Sequence, residues 1–303
     1  MEFRNGNYIL TNEELNIFER FFQYGNYEKA KYIFVGIEEG LCRNGYKAAI
    51  ESRLLLASKY KNEIEYFNKN EGIKAGWYVN NSELLPRVEH EVINPKESLQ
   101  EYLNGRALDF TMRMHIRLAM LLESPMKDGR LDFSGLDHFR KKAKHYKIHA
   151  EESQTAMFDF FPLPKQGKFP YIVNGKFENE KEYRAYYLTN KSNERAKLIR
   201  TMYDQFPMNI SFVYTGISRG KFKVLQFYEE VLGFQFKETY TTGRVHEEYR
   251  DVIEPSTKPK PFMIGKRSTG QIAVLTPFLG PRQMGYNDLN VVATWLHDVI
   301  ANK

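Results

Sequence analysis

A single cysteine, Cys42, stands in 303 residues, which excludes an intrachain disulfide framework and a cysteine-held iron–sulfur cluster within one chain. No apolar run approaches the length of a membrane helix, and residues 1–10 lack the apolar core of a signal peptide. The expectation is a soluble, cytoplasmic protein with no membrane partner. Common enzyme signatures are missing too: there is no P-loop, no GxGxxG after a strand and no G-x-S-x-G elbow. The seven histidines form no HExxH and no Cys–His spacing, so neither a metal nor a cofactor is expected. His145 and His149, four residues apart, are either a metal pair on one helix face or part of a solvated basic helix, and the second is the ordinary case.

What is present is apolar and aromatic. Apolar residues make up 42% of the chain, enough for a sizeable core, and 22 Phe with 20 Tyr leave rings available for stacking. Lys and Arg number 44 against 38 Asp and Glu, a formal +6 that is compatible with a polyanionic partner. No internal repeat or low-complexity linker divides the chain, so one domain over 1–303 is the simplest description.

Residues 31–40, KYIFVGIEEG, organise the rest. A short apolar run ends in Gly36, and Glu38 and Glu39 follow; a run of that length bounded by glycine reads as a buried strand. In an open α/β sheet the loop after a strand's carboxyl end is where ligands bind. Two acids there are either catalytic or the solvated start of a turn.

Along the chain, 12–23 reads as a helix after a threonine cap, and 41–104 as a long insertion with a helix at 47–67. A strong amphipathic helix is expected at 107–122, with Leu108, Met112, Ile116 and Met120 in one stripe and Arg113 and Arg117 in another. Residues 133–148 read as a basic helix, 156–161 (AMFDFF) as a second strand, and 165–181 as a loop or hairpin before a charged helical segment to 206. A third strand at 210–214, a helix through 224–231, a polar insertion at 241–261, a fourth strand at 272–275 and a helix at 286–300 complete the chain. Strands separated by helices imply a three-layer α/β/α fold around a central four-stranded, mainly parallel sheet with helical insertions.

Three strand-end strings in order resemble the uracil-DNA glycosylase superfamily. GIEEG at 36–40 resembles its water-activating motif, which reads GQDPY, GINPG or GMNPG in different branches. DFFPL at 159–163 is similar to the base-reading NHCPL of the single-strand-selective branch, and TPFLG at 276–280 stands where the superfamily has HPS or NPS before an intercalating loop. GRALDF at 105–110 is similar to the GRAGQ helix start of the thermophilic branch, whose cluster cysteines this chain lacks. The resemblance covers the core and not the insertions, and is closest to the single-strand-selective and mismatch-type branches. Glu39 replaces the proline of the first motif, and Thr276 replaces the histidine or asparagine of the third.

The resemblance implies a DNA glycosylase acting on DNA as a monomer. Glu38 takes the place of the motif's Asp or Asn, where a carboxylate stabilises the sugar cation and orients water. Glu39 is the reserve acid, with a helix cap as its ordinary alternative, and Thr276 completes the catalytic set. Gly36, Ile37, Asp159, Phe160 and Phe161 would bind the base, the two phenylalanines either as a stacking surface or as ordinary core. Asp159 stands where the superfamily reads uracil with asparagine. An ionised aspartate offers acceptors only, which suits an exocyclic amino group such as cytosine N4 and opposes a carbonyl. The expected base is therefore amino-bearing: a modified cytosine, a hypermodified phage base included. A uracil-excising enzyme, a non-catalytic DNA-binding module and a small-substrate N-glycosidic hydrolase are the alternatives. Arg43, Arg113, Arg117, Arg219 and Lys221 are candidate phosphate contacts, and Arg282, Gln283 and Met284 occupy the region of the superfamily's wedge.

Overall fold

The computed structural model describes residues 2–20, 25–37, 110–214 and 224–301 apart from short internal breaks, together with Ile50 and Leu54. The insertion expected at 41–104 and its helix at 47–67 lie almost wholly outside the described residues.

A small hairpin, β1 (Glu2–Arg4) and β2 (Asn7–Leu10), opens the chain and leads into α1 (Asn12–Arg20). A reciprocal capping box starts that helix: Glu14 N–H donates to Thr11 Oγ1 at 3.1 Å, and Thr11 N–H donates to the Glu14 carboxylate at 2.9 Å. Next comes β3 (Tyr32–Gly36), followed among the described residues by α2 (Phe110–Glu123) and a two-stranded ribbon, β4 (Met126–Lys127) with β5 (Arg130–Leu131). After a 3-10 turn at Phe133–Leu136 and the short α3 (Phe139–Ala143), β6 (Thr155–Asp159) joins the main sheet. Strand β7 (Tyr171–Val173) pairs in parallel with β2. Helices α4 (Glu180–Thr189) and α5 (Glu194–Gln205) precede β8 (Ile210–Val213), and α6 (Val224–Glu230) precedes β9 (Gln235–Thr241). Strands β10 (Pro261–Lys266) and β11 (Ile272–Leu275) and the long α7 (Tyr286–Ala301) end the described chain.

Among the described residues the central sheet has six strands, in the order β6-β3-β8-β11-β10-β9. The first four are parallel, and β10 and β9 add an antiparallel edge. The expected sheet of four strands is thus corrected to six. β9 is an exposed edge strand with Lys237 and Glu238 at its centre, and the short apolar run of β10, Phe262–Ile264, lies between a proline and a glycine. The polar segment expected as an insertion at 241–261 is the connection between these two strands.

The four parallel strands are buried on both faces, which is why each reads as an apolar run. Ile33, Val35, Ala156, Phe158, Val213, Ala273 and Leu275 face one core, built with α1, α4, α5 and α6. Their neighbours Tyr32, Phe34, Met157, Phe212 and Val274 face the other, under α2 and α7. This two-residue alternation places helices on both faces of one sheet.

Two helix expectations are corrected. The segment 133–148 is no continuous helix: the 3-10 turn closes where Asp137 N–H donates to the Ser134 carbonyl, and His138 takes a left-handed φ of 57°. The charged segment before 206 divides in two, because the Asn193 side chain accepts from Ala196 N–H and starts a new helix there. Among the described residues no helix is long and apolar enough to cross a membrane.

Candidate functional site at the carboxyl edge of the sheet

Strand register sets the site. Gly36 pairs with Asp159, and Tyr214 N–H donates to the Val35 carbonyl at 3.1 Å. Thr276 N–H donates to the Val213 carbonyl at 3.0 Å. Asp159, Gly36, Tyr214 and Thr276 therefore form one row across the carboxyl ends of β6, β3, β8 and β11. Each lies two residues beyond a side chain of the core under α2 (Met157, Phe34, Phe212 and Val274), so the strand period turns all four to that face. The strand order by chain position is second, first, third, fourth, and the order reverses between β3 and β8, where open α/β sheets bind ligands.

Glycine at 36 is required by its neighbours. A Cβ there would overlap Asp159 Oδ1 and lie 3.2 Å from both Asp159 Cγ and Tyr214 Oη. The carboxylate and the phenol thus converge on the same point above bare backbone. Asp159 is 5% exposed, and burying a carboxylate demands compensating partners.

The backbone under Asp159 is held from outside the sheet. Among the described residues β6 is an edge strand, so alternate peptide carbonyls on its outer side have no strand partner there. Tyr27 Oη donates to the Met157 carbonyl at 2.7 Å, and the Arg195 guanidinium donates to the Asp159 carbonyl. Arg195 also donates to the Glu19 carbonyl at 2.9 Å and, more weakly, to that of Phe160 at 3.4 Å. It is 1% exposed. Glu19, buried nearby, accepts from Tyr187 Oη at 2.9 Å, and burial pushes its carboxyl above the usual range.

The structure separates the sequence-derived residues into three groups. Gly36, Ile37, Asp159 and Thr276 come together at the edge. Phe160 and Phe161 follow Asp159, their N–H groups bonded to the carbonyls of Gly36 and Ile37, but both rings are buried in the core with Phe227 and Tyr183. Met284 is buried in the core under α2 and α7, while Gln283 beside it is exposed. Arg117 lies over the Tyr286 ring at 4.8 Å and donates from Nη2 to Asn290 Oδ1 at 3.0 Å, which makes it a helix-packing residue. Arg113 sits in the first turns of α2 with its guanidinium 5.7 Å from the Phe110 ring. The Thr276 hydroxyl donates to the Pro277 carbonyl at 2.9 Å. Glu38, Glu39, Arg43, Arg219, Lys221 and Arg282 lie outside the described residues.

Sequence reasoning missed Tyr214, Phe278 and a histidine pair. Tyr214 closes β8, and a tyrosine at the end of an apolar strand looks like core. Phe278 is 42% exposed beside it, ring centroids 5.9 Å apart, and is the exposed large apolar side chain of this edge among the described residues. Beneath the row, His115 stacks on Phe34 at 4.1 Å, and its Nδ1 lies 3.1 Å from His149 Nε2. Both rings are fully buried. Burial holds His115 well below the usual histidine range and His149 down to about 3, so both are neutral at pH 7. His149 takes a left-handed φ of 54° in a turn, and His145 lies outside the described residues. Among the described residues no group of three His, Cys, Asp or Glu side chains is arranged to hold a metal ion. No protein-family model, curated protein or solved structure matches the chain.

Proposed function

We propose that this protein is a DNA glycosylase that flips an amino-bearing pyrimidine, a modified cytosine, out of DNA and hydrolyses its bond to the sugar, acting as a cytoplasmic monomer without a cofactor. One observation carries the reading: a buried carboxylate, Asp159, lies over side-chain-free backbone at Gly36, on the carboxyl edge and two residues before Glu38 of the acidic pair Glu38-Glu39. A base reader needs a fixed polar group, and the missing side chain at Gly36 leaves the room that the Asp159 carboxylate fills. The resemblance of all three strand-end strings to one superfamily supports the same reading, and the formal charge of +6 suits a polyanion.

In this mechanism Asp159 accepts from the exocyclic amine of the flipped base. Phe278, exposed above Tyr214, offers an apolar surface to the DNA. Glu38 orients a water whose oxygen bonds to C1′ as the C1′–N1 bond breaks. That bond's electron pair leaves with the base, the water proton passes to the Glu38 carboxylate, and the base takes a proton from solvent. The Thr276 hydroxyl hydrogen is engaged by the Pro277 carbonyl, so Thr276 is not assigned as a donor to the departing base.

A second reading is a non-catalytic DNA-binding module, favoured by that same engagement of Thr276. One experiment separates them. Duplexes carrying cytosine, 5-hydroxymethylcytosine, its glucosylated form or uracil are incubated with the protein and then cleaved with alkali at abasic sites. Strand breaks confined to a modified cytosine, lost in Glu38→Gln with DNA binding retained, are expected. Salt-sensitive binding with no breaks on any duplex would instead establish the module.

A further inference from the structure

We infer that Arg195 is a positioning residue for the base reader: its buried guanidinium fixes the peptide from which Asp159 projects. The inference rests on the glycosylase reading for its activity arm and on geometry alone for the rest. Asp159 ends an edge strand, where no seventh strand among the described residues holds its outer carbonyl. A carbonyl left unbonded there would cost free energy and leave the peptide plane free to rotate. Arg195 removes that freedom by bonding the carbonyls of Asp159 at the end of β6, of Phe160 just after it and of Glu19 near the end of α1.

The choice of arginine is physical. One planar fork reaches three carbonyls in different directions, which a lysine ammonium on a single nitrogen does not reproduce. Burying a guanidinium is costly, and the cost is offset by those three acceptors, by the Phe158 ring at 5.7 Å and by the Glu19 carboxyl nearby. Tyr27 satisfies the carbonyl two residues earlier with a neutral hydroxyl, so the edge as such does not require a charge. The cation stands only at the turn of the peptide beneath the carboxylate.

The test is chemical rescue. Arg195→Ala leaves a guanidinium-shaped hole, and millimolar guanidinium chloride is the probe, with ethylammonium chloride at the same concentration as the control. Two readouts are followed: excision of the modified cytosine, and the 13Cγ signal of Asp159 in aspartate-labelled protein, assigned by its loss in Asp159→Asn. The expected result is an excision rate lower by about 10²-fold, as for an angstrom-scale misplacement, and a moved Asp159 signal, both restored by guanidinium and not by ethylammonium. An intact fold with an unmoved signal and wild-type excision would overturn the inference, as would a loss that guanidinium does not restore. If the wild-type protein excises nothing, the glycosylase reading fails while the signal and its rescue still decide the role of Arg195. Should Arg195→Ala not fold, Arg195→Lys replaces it: a moved signal and slowed excision support the inference, and wild-type values for both overturn it.

Discussion

At the amino edge of the sheet a cavity of about 670 Å³ opens between Lys31, Tyr32, Glu123 and Tyr146, whereas the carboxyl edge holds the compact row of Asp159, Gly36, Tyr214 and Thr276. Polar groups around the cavity satisfy one another. Tyr146 donates to the Glu123 carboxylate at 2.8 Å, Tyr32 donates to the Leu122 carbonyl at 3.3 Å, and Ser153 donates to the Thr155 carbonyl at 3.1 Å. Burial raises both Glu123 and Tyr146, and each keeps its proton more firmly than in water. At the other edge a side chain is missing where two polar groups meet, and a buried cation anchors the backbone beneath one of them. The cost of arranging that edge, a carboxylate and an arginine taken out of water, selects it.

The strongest challenge to this contrast is Gly36→Ala. The added methyl group overlaps Asp159 Oδ1 and crowds Tyr214, so the Asp159 carboxylate must turn away. Excision is expected to fall by about 10²-fold, with a stability loss of about 1–3 kcal/mol measured by denaturant unfolding. Unchanged excision in a folded Gly36→Ala protein would show that the row is not the site.

A second effect tests the core between the two edges. His115 and His149 are held neutral by burial, His149 down to about 3, while unfolded histidines bind protons below about 6.5. The unfolded chain therefore takes up more protons as pH falls. The histidines' contribution is fully present above pH ~6.5 and falls as pH drops, for His149 toward about 3, by roughly 1 kcal/mol per pH unit for each histidine. Unfolding free energies measured across this window should show the slope. In His149→Asn, where asparagine tolerates the left-handed φ, about half of it should disappear. The smallest effect is expected at the amino edge. Tyr146→Phe removes one hydrogen bond to the Glu123 carboxylate, costing about 0.5–1.5 kcal/mol, and should leave excision within about twofold of wild type.

The parallel strands were legible because burial on both faces writes a continuous apolar run into the sequence. Asp159 was legible for the complementary reason: a charge inside AMFDFF has no ordinary place there. The antiparallel strands were not. β9 is solvated along most of its length, and Gly265 in β10 marks a close approach to the Phe236 ring rather than a turn. Arg195 stands in ERAKLIR, which reads as the solvated start of a helix until tertiary packing closes over it. The histidines meet across 34 residues, a pairing that no periodicity records. Local patterns reveal which segments are buried; they do not reveal which polar groups meet once buried.

The most direct test of the central claim is the ratio of excision rates for the amino-bearing base and for uracil, compared between wild type and Asp159→Asn. A reader with acceptors only should favour the amino-bearing base, and an amide that also donates should erase or reverse the preference, a change on the scale of about 1–3 kcal/mol or roughly 5- to 150-fold. Uracil excised faster by the wild-type protein, or a ratio that Asp159→Asn leaves where it was, would contradict the account of Asp159.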